Sequence, residues 1–353
     1  MDQLLLAPYN DSMMLGQGYN SFLQVSCIDR AIELDHSWFR RVATAAGTAG
    51  GPSQVVTCSS RLVGKASEIV RSMNISPASC IRAGAIEVPG ALLSWDETKF
   101  ASSDANAMIS VKVVKEITSI PEDSKFIPYQ EKKSMSSKDF FEVYGDCYIS
   151  GFVEGGELLG LLSMKVLDPA RKSAVRSMLE SALGGSNSDS TKSIGLASTT
   201  LQAAAEESET TVTANWCGGG QIKLNDEEWT VERLFRSGEA FPGRIAERPQ
   251  RTWAVLTPYC RNPSFAKYAT TNSIVVPDFG KVHDYAHGLL DDYMGFKQNA
   301  ARVQDALANP GSFQVSEASN AVEVNVQSLL QERKTIKSEM NKIIEIIDQL
   351  YVG

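Results

Sequence analysis

A strand that contains two consecutive glycines, and then resumes as a strand, limits most sharply how this chain can fold. After Phe140-Phe141-Glu142-Val143, Tyr144-Gly145 closes a turn, Asp146-Cys147 follows, and Tyr148 opens Ile149-Ser150-Gly151-Phe152-Val153-Glu154. Gly155-Gly156 interrupts the run, which resumes as Leu158-Leu159-Gly160-Leu161-Leu162-Ser163-Met164-Lys165-Val166. Glycine inside a strand removes the packing side chain and costs backbone entropy, so it marks a bend, a bulge or a close backbone approach. On those grounds alone any bulge in any sheet would satisfy the pattern.

The surrounding chain supplies partners for such a strand. The first 60 residues read as short strands and glycine-rich loops, including Gly16-Gln17-Gly18-Tyr19-Asn20 and Ala45 to Pro52. Leu62, Ala66, Ile69, Val70 and Met73 have helical spacing and predict a helix from Ser59 to Asn74, ended by Pro77. Ala78 to Leu92 reads as a strand of small residues, and Met108 to Thr118 as a second strand in which Val111, Val113 and Ile117 alternate with Lys112 and Glu116. Between them, Ser94 and Glu97 have capping-box spacing, which makes Leu93 to Asn106 a short helical insert. Ser136 or Ser137 can cap the helix that carries Phe140 and Phe141.

Beyond the glycine-broken strand, Ala170 to Leu183 reads as a helix stopped by Gly184-Gly185, and Ile194 to Glu207 as a second. Thr210 to Ile222 is a fourth strand, with its own break at Gly218-Gly219-Gly220. Tyr144-Gly145, Tyr148 and Gly155-Gly156 together have the spacing of the signature of the membrane attack complex/perforin (MACPF) family, related by fold to the cholesterol-dependent cytolysins (CDC). The sequence departs from that signature at Asp146 and Cys147, where the family usually has Thr or Ser and then His. The resemblance extends over about residues 75 to 260, through Trp229, Phe241-Pro242, Trp253 and Leu256 to Pro258. It implies an α+β fold: a bent four-stranded antiparallel sheet flanked by two helical clusters, each linking two of its strands. Gly155, Gly156, Gly218, Gly219 and Gly220 fall where such a sheet would bend.

The tail is helical. Val282 to Leu307 is stopped by Asn309-Pro310-Gly311. A stripe of Val322, Val326, Leu329, Ile336, Met340, Ile343, Ile347 and Leu350, interrupted by Arg333, follows. We expect a domain over 1–275 and a C-terminal helical hairpin over 276–353 packed on its core.

A net charge of −8, with no basic run, argues against a nucleic-acid partner and against simple electrostatic docking on anionic lipid. Six scattered cysteines without a C-x-x-C pair leave disulfides and free thiols both open. Met1 to Pro8 lacks the basic start and long apolar run of a signal peptide, and no stretch of about 18 apolar residues occurs. The expectation is a protein made in soluble form, cytoplasmic or exported unconventionally, that then meets a target membrane.

Chemistry of the enzymatic kind has little footing. His283 and His287 have zinc-ligand spacing on a helix, but Asp284 stands where a metalloprotease needs the longer Glu. A zinc hydrolase is therefore only a remote alternative. No catalytic residue, metal or cofactor is assigned.

The family resemblance implies a pore former whose helical clusters unroll into β-hairpins on a membrane, within a homo-oligomeric ring. The alternative is a non-lytic recognition or adhesion module. Expected partners are a membrane lipid or receptor and, as for some short fungal-type relatives, a separate lipid-binding protein. Residues 168–207 provide about 20 residues per strand, but 93–106 provide only about 7, or about 23 Å at ~3.3 Å per residue, short of a bilayer core of ~30 Å. Candidates for membrane insertion are Trp95 and Phe100 in the first insert, with Val175, Met178, Leu179, Leu183, Ile194, Leu196 and Leu201 in the second.

Overall fold

The computed structural model describes residues 4–34, 54–87, 95–121, 123–129, 135–183, 192–224, 227–315, 317 and 321–352. In chain order the elements are β1 Leu5–Pro8, β2 Gly18–Asn20, β3 Val25–Ser26, β4 Val55–Leu62, α1 Ala66–Ser72, α2 Pro77–Ala83, α3 Glu97–Ser102, β5 Ala105–Ser119, α4 Ser137–Tyr144 and β6 Cys147–Val166. There follow a 3-10 turn at Pro169–Arg171, α5 Lys172–Leu183, α6 Lys192–Glu206, β7 Ser208–Cys217, α7 Val231–Glu247, β8 Gln250–Pro258, α8 Pro263–Asn272, α9 Gly280–Ala308 and α10 Val326–Val352.

Four long strands form the antiparallel centre in the order β4-β5-β6-β7. Around the lower half of β6 the sheet widens: β8 and β2 pair with it, β1 pairs with β8, and β3 with β2. The 20 residues of β6 thus reach the whole assembly, as its near-continuous apolar sequence requires of a strand covered on both faces.

Strand alternation assigns the two faces of the upper sheet. Cys58, Ile109, Val111, Leu158, Leu162 and Ala214 point to one side, where α5, α6 and α7 close a core. Met108, Leu159 and Leu161 point to the other, where they meet α1, α2, α9 and α10. A third, aromatic core of Phe126, Phe140, Tyr144, Tyr148, Tyr259 and Phe265 fills the base. All six cysteines are free.

Four sequence expectations are corrected here: a helix start, a strand, the role of Pro77 and the bounds of the first insert. The helix expected from Ser59 begins only at Ala66, because β4 continues through Leu62 in register with Ala107. The strand expected over 78–92 is instead helix α2 as far as Ala83. Pro77 starts a helix where it had been expected to end one: it occupies the first turn, where a missing N–H costs nothing, behind Ser76, whose side chain accepts from Ser79 N–H. Gly84, left-handed at φ 72°, closes the helix. The first strand of the central four is therefore β4, and the insert between it and β5 spans 63–104 rather than 93–106.

Smaller shifts follow from capping. Asp96 caps α3, with Ser94 outside the described residues, and Ser136 caps α4 through a reciprocal capping box with Asp139. β7 ends at Cys217 rather than running to Ile222. Gly184 and Gly185, and the glycine-rich run from Ala45 to Pro52, also lie outside the described residues. The C-terminal hairpin forms as expected, with Leu329, Ile336, Ile343 and Ile347 buried, although the first stripe positions, Val322 and Val326, are exposed.

Candidate functional site at the glycine bend

Strand β6 changes partners midway. From Cys147 to Gly155 it pairs with β8, ending at Gly155 opposite Gln250. From Glu157 to Val166 it pairs with β7, beginning at Glu157 opposite Cys217. The exchange falls at Gly155-Gly156. On the facing strand β5 the register slips between Val114 and Glu116, leaving Lys115 as an extra residue, a bulge that increases local twist.

Sterics explain why both positions are glycine. A Cβ on Gly155 would lie 1.9 Å from the Val113 carbonyl oxygen, and one on Gly156 would lie 2.1 Å from Ile245 Cδ1. Helix α7 therefore rests its Ile245 on bare backbone. Where β7 leaves the sheet, Gly218, Gly219 and Gly220 take φ of 82°, 71° and 69°, a left-handed run that side chains rarely adopt. Two of their N–H groups are held by β8 and its approach: Gly218 donates to Gln250 Oε1 at 3.1 Å and Gly219 to Arg248 O at 2.9 Å. All five glycines thus gather at one point, where β7, β8, β6 and the end of α7 meet.

A charged pair sits just above. Lys112 Nζ lies 3.1 Å from Glu157 Oε1 across β5 and β6, 5.3 Å from the centre of the Trp253 ring, and donates to Ser72 O at the end of α1. Burial pushes the Glu157 carboxyl above its ordinary range, and Lys112 opposes that rise. Separating such a pair would strand a buried charge, so any opening of the sheet here must hydrate both groups.

The signature residues build the base of the same strand. Tyr144 stacks on Phe140 with centroids 4.7 Å apart and donates its hydroxyl to Ile127 O at 2.9 Å. Gly145, at φ 77°, passes so close to Tyr19 O that an added Cβ would lie 2.1 Å away, and Tyr148 is buried. Asp146 and Cys147, the two departures from the family pattern, have structural employment. The Asp146 carboxylate accepts Ser21 N–H at 2.7 Å and Ser21 Oγ–H at 2.6 Å, and Cys147 Sγ–H donates to Tyr19 O at 3.3 Å. Burial pushes the Asp146 carboxyl up to about 6 against the lowering effect of those hydrogen bonds, and raises the Cys147 thiol.

The insertion candidates divide between opposite faces of the sheet. Phe100 is buried with α1 and α2, its ring 5.0 Å from that of half-buried Trp95. Val175, Leu179, Leu183 and Leu201 are buried against the other face, with Met178 at their margin. The side chains of Ile194 and Leu196 lie outside the described residues. Sequence reasoning placed Val70 on a helix face but not among the insertion candidates, and missed Ile81, both fully buried in the first cluster, and the Ile245 plug. Val70 had carried a signal in its helical spacing; Ile245 had none until its partner glycine was located.

The two histidines lie one turn apart on α9 against protein groups. His287 Nδ1 lies 2.7 Å from His283 O within the helix, and the His283 ring lies against Phe22, where burial holds it down at about 4. Among the described residues no group of three His, Cys, Asp or Glu side chains could hold a metal ion. Among them, too, no helix is long and apolar enough to cross a membrane.

No protein-family profile matches the sequence, and no curated protein matches it. Solved structures do. Stonustoxin superposes at a TM-score of 0.50 with 11% identity, covering 99% of this chain and 42% of its own, so this chain spans less than half of the stonustoxin chain. A putative cell invasion protein with a MAC/Perforin domain from Bacteroides thetaiotaomicron matches at 0.30 with 9% identity over 77% of this chain and 62% of that one. The human-specific toxin intermedilysin matches at 0.32 with 10% identity over 72% and 55%. At these identities the likeness concerns fold alone, and only the stonustoxin superposition has enough overlap to bear on it. Taken with a signature strand that trades β8 for β7 at paired glycines, and with helical clusters that each join neighbouring strands, it shows that the chain has a MACPF/CDC-like fold.

Proposed function

We propose that the protein is a pore former that assembles on a membrane and converts both helical clusters into β-hairpins. The observation that carries this reading is topological. The first cluster connects β4 to β5 and the second connects β6 to β7, and in each case the two strands are already hydrogen-bonded neighbours. Each pair can lengthen into its cluster without changing a partner.

Length supports the reading for both clusters. About 42 residues separate Leu62 from Ala105, and about 41 separate Val166 from Ser208. Halved, each gives about 20 residues, or about 65 Å before the turn is subtracted, against a hydrocarbon core of ~30 Å. The shortfall expected for the first insert disappears with the correction of its boundaries. In lipid every backbone group needs a protein partner, so the lengthened strands must close a ring. Strand β4 of one copy and β7 of the next are antiparallel edges that suit this closure.

The net charge of −8 favours recruitment by a receptor, a zwitterionic lipid or a lipid-binding partner protein over attraction to anionic headgroups. A second reading, a non-lytic assembly for recognition or adhesion, is favoured by the second cluster, whose α6 is rich in Ser, Ala and Thr and would offer lipid only a mildly apolar side. Dye release from liposomes of several compositions, with and without a candidate partner, distinguishes the two. Ring-shaped assemblies with leakage are expected. Membrane-bound rings that leave every composition sealed would replace the first reading with the second.

A further inference from the structure

The three helices of the first cluster have 7, 7 and 6 residues, lengths at which an isolated helix is unstable in water. Helix α1 has no side-chain cap of its own, whereas α2 and α3 are capped at their starts by Ser76 and Asp96, and the C-terminal hairpin adds contacts to the ends of all three. Helix α1 starts after Lys65, which gives no side-chain cap. Asp291 of α9 takes that place: its carboxylate accepts Ser67 N–H at 3.0 Å and Ser67 Oγ–H at 2.7 Å, with Lys65 Nζ 3.9 Å away.

The other two helices are held from further along α9. One turn and a half on from Asp291, Lys297 Nζ donates to Gly84 O, just past the C-terminus of α2, at 2.8 Å and pairs with Glu97, the first residue of α3, at 2.6 Å. Gln298 Nε2 donates to Ala101 O of α3 at 3.0 Å. Helix α10 adds Asp348, 3.3 Å from Arg82 of α2, and the Tyr351 ring, 5.8 Å from the same guanidinium. Apolar packing runs beneath these contacts, with Ala286, Leu290 and Ile347 buried against the cluster. The second cluster, by contrast, has helices of 12 and 15 residues and packs on β4, β7 and α7.

We propose that the α9–α10 hairpin is a capping latch for the first cluster: it keeps α1, α2 and α3 helical by completing their ends, and its displacement lets that cluster melt while the second remains folded on the sheet. Resting on the pore-former reading, this orders the transition. The second cluster can leave on its own, whereas the first waits for the hairpin to lift.

Hydrogen exchange on the full-length protein without membranes tests the latch independently of lysis. Asp291→Ala should raise exchange in Ala66–Ser72 by roughly 5- to 30-fold, the effect of losing a helix cap, and Lys297→Ala should do so in Pro77–Ala83 and Glu97–Ser102. Exchange in Lys172–Leu183 should not change. Equal increases in both clusters, or none in the first, would overturn the proposal. Asp291→Asn, which keeps an acceptor for Ser67 N–H, should fall between wild type and Asp291→Ala, and guards against misfolding of the harsher variant.

A second arm joins the latch to the cluster covalently, through Ser67→Cys with Asp291→Cys in a Cys260→Ser background. If the wild type releases dye, the oxidised variant should not, and reduction should restore release. Full release by the oxidised form would overturn the ordered mechanism. If the wild type releases nothing, the pore-former reading fails, and the exchange result alone decides whether the hairpin is a latch.

Discussion

The cluster between β4 and β5 is three short helices roofed by the C-terminal hairpin, whereas the cluster between β6 and β7 is two longer helices seated directly on the sheet. Their topological places are the same and their links are of nearly equal length, yet their stability comes from different sources. The second draws on its own length and on apolar contact with β4 and β7; the first draws on groups contributed from more than 200 residues away in sequence. Two segments with one topological role can therefore respond to different signals. Only the first is sensitive to whatever moves the hairpin.

The largest effect should come from Gly155 and Gly156, where β6 exchanges β8 for β7. Gly155→Val places a side chain where Val113 O already stands, a backbone atom that cannot step aside, so a loss of more than about 3 kcal/mol is expected. Gly156→Ala meets the Ile245 side chain at 2.1 Å and the Cys217 carbonyl oxygen at 2.8 Å, so Ile245→Ala should recover part of its stability, and not all, in a double-mutant cycle. Urea unfolding measures both. Additive losses at Gly156 and Ile245 would mean that α7 does not rest on that glycine. The paired glycines were legible from the sequence; what each one avoids was not, because Val113 and Ile245 reach them from another strand and a helix.

Next comes a core deletion confined to one cluster. Leu179 is fully buried in α5, and Leu179→Ala should cost about 2–5 kcal/mol. The increase in hydrogen exchange should concentrate in Lys172–Leu183 and Lys192–Glu206 and leave Ala66–Ala83 as it was. Spread of the effect into the first cluster would dissolve the distinction between the two.

Acid should act on the two sides of the molecule with opposite signs. His283, on the latch helix, has a folded pKa of about 4 against an ordinary 6.5, lowered by burial and then by His287, with Asp284 opposing. Its contribution is complete above pH 6.5 and is lost as pH falls towards 4, about 1 kcal/mol of it by pH 5.5. Asp146, in the signature turn, has a folded pKa of about 6 against 3.8, raised by burial and, less, by Asp278. Its contribution grows as pH falls through 6, again by about 1 kcal/mol at pH 5.5. The two nearly cancel between pH 7 and 5.5. Asp146→Asn should therefore expose a net acid loss, and His283→Gln a net acid gain, in denaturant titrations at the two pH values. Parallel pH profiles for the two variants would refute this assignment.

What could be read from the sequence follows the range over which each signal acts. The fold class was legible because strand alternation and the spacing of Tyr144, Gly145, Tyr148, Gly155 and Gly156 are local patterns. The first cluster was misjudged because its helices are short and held from outside. Small residues such as Ser79 and Ala83 carry no strong period, and Pro77 serves equally as a stop and as a first-turn residue until Ser76 is seen capping it. No local signal announces that Asp291 caps Ser67. The heptad stripe of the tail showed that a hairpin would form and pack, but not which segment it would cover.

The smallest expected effect separates the latch from its surroundings. Arg71 and Asp284 form a 3.0 Å ion pair between α1 and α9, but both side chains are largely exposed, 60% and 74%, whereas that of Asp291 is 19% exposed. Exposed pairs contribute about 0–1 kcal/mol and are screened by salt, while a carboxylate that satisfies a helix N–H in a shielded position is screened much less. Arg71→Ala should thus change exchange in Ala66–Ser72 by less than about 3-fold, well short of Asp291→Ala, and raising the salt concentration to ~1 M should abolish even that difference. If Arg71→Ala instead matched Asp291→Ala, and salt loosened the first cluster to the same degree, the hairpin would be held by surface charge rather than by completing helix ends. The signal able to lift it would then be ionic strength or a charged surface rather than a competitor for the caps.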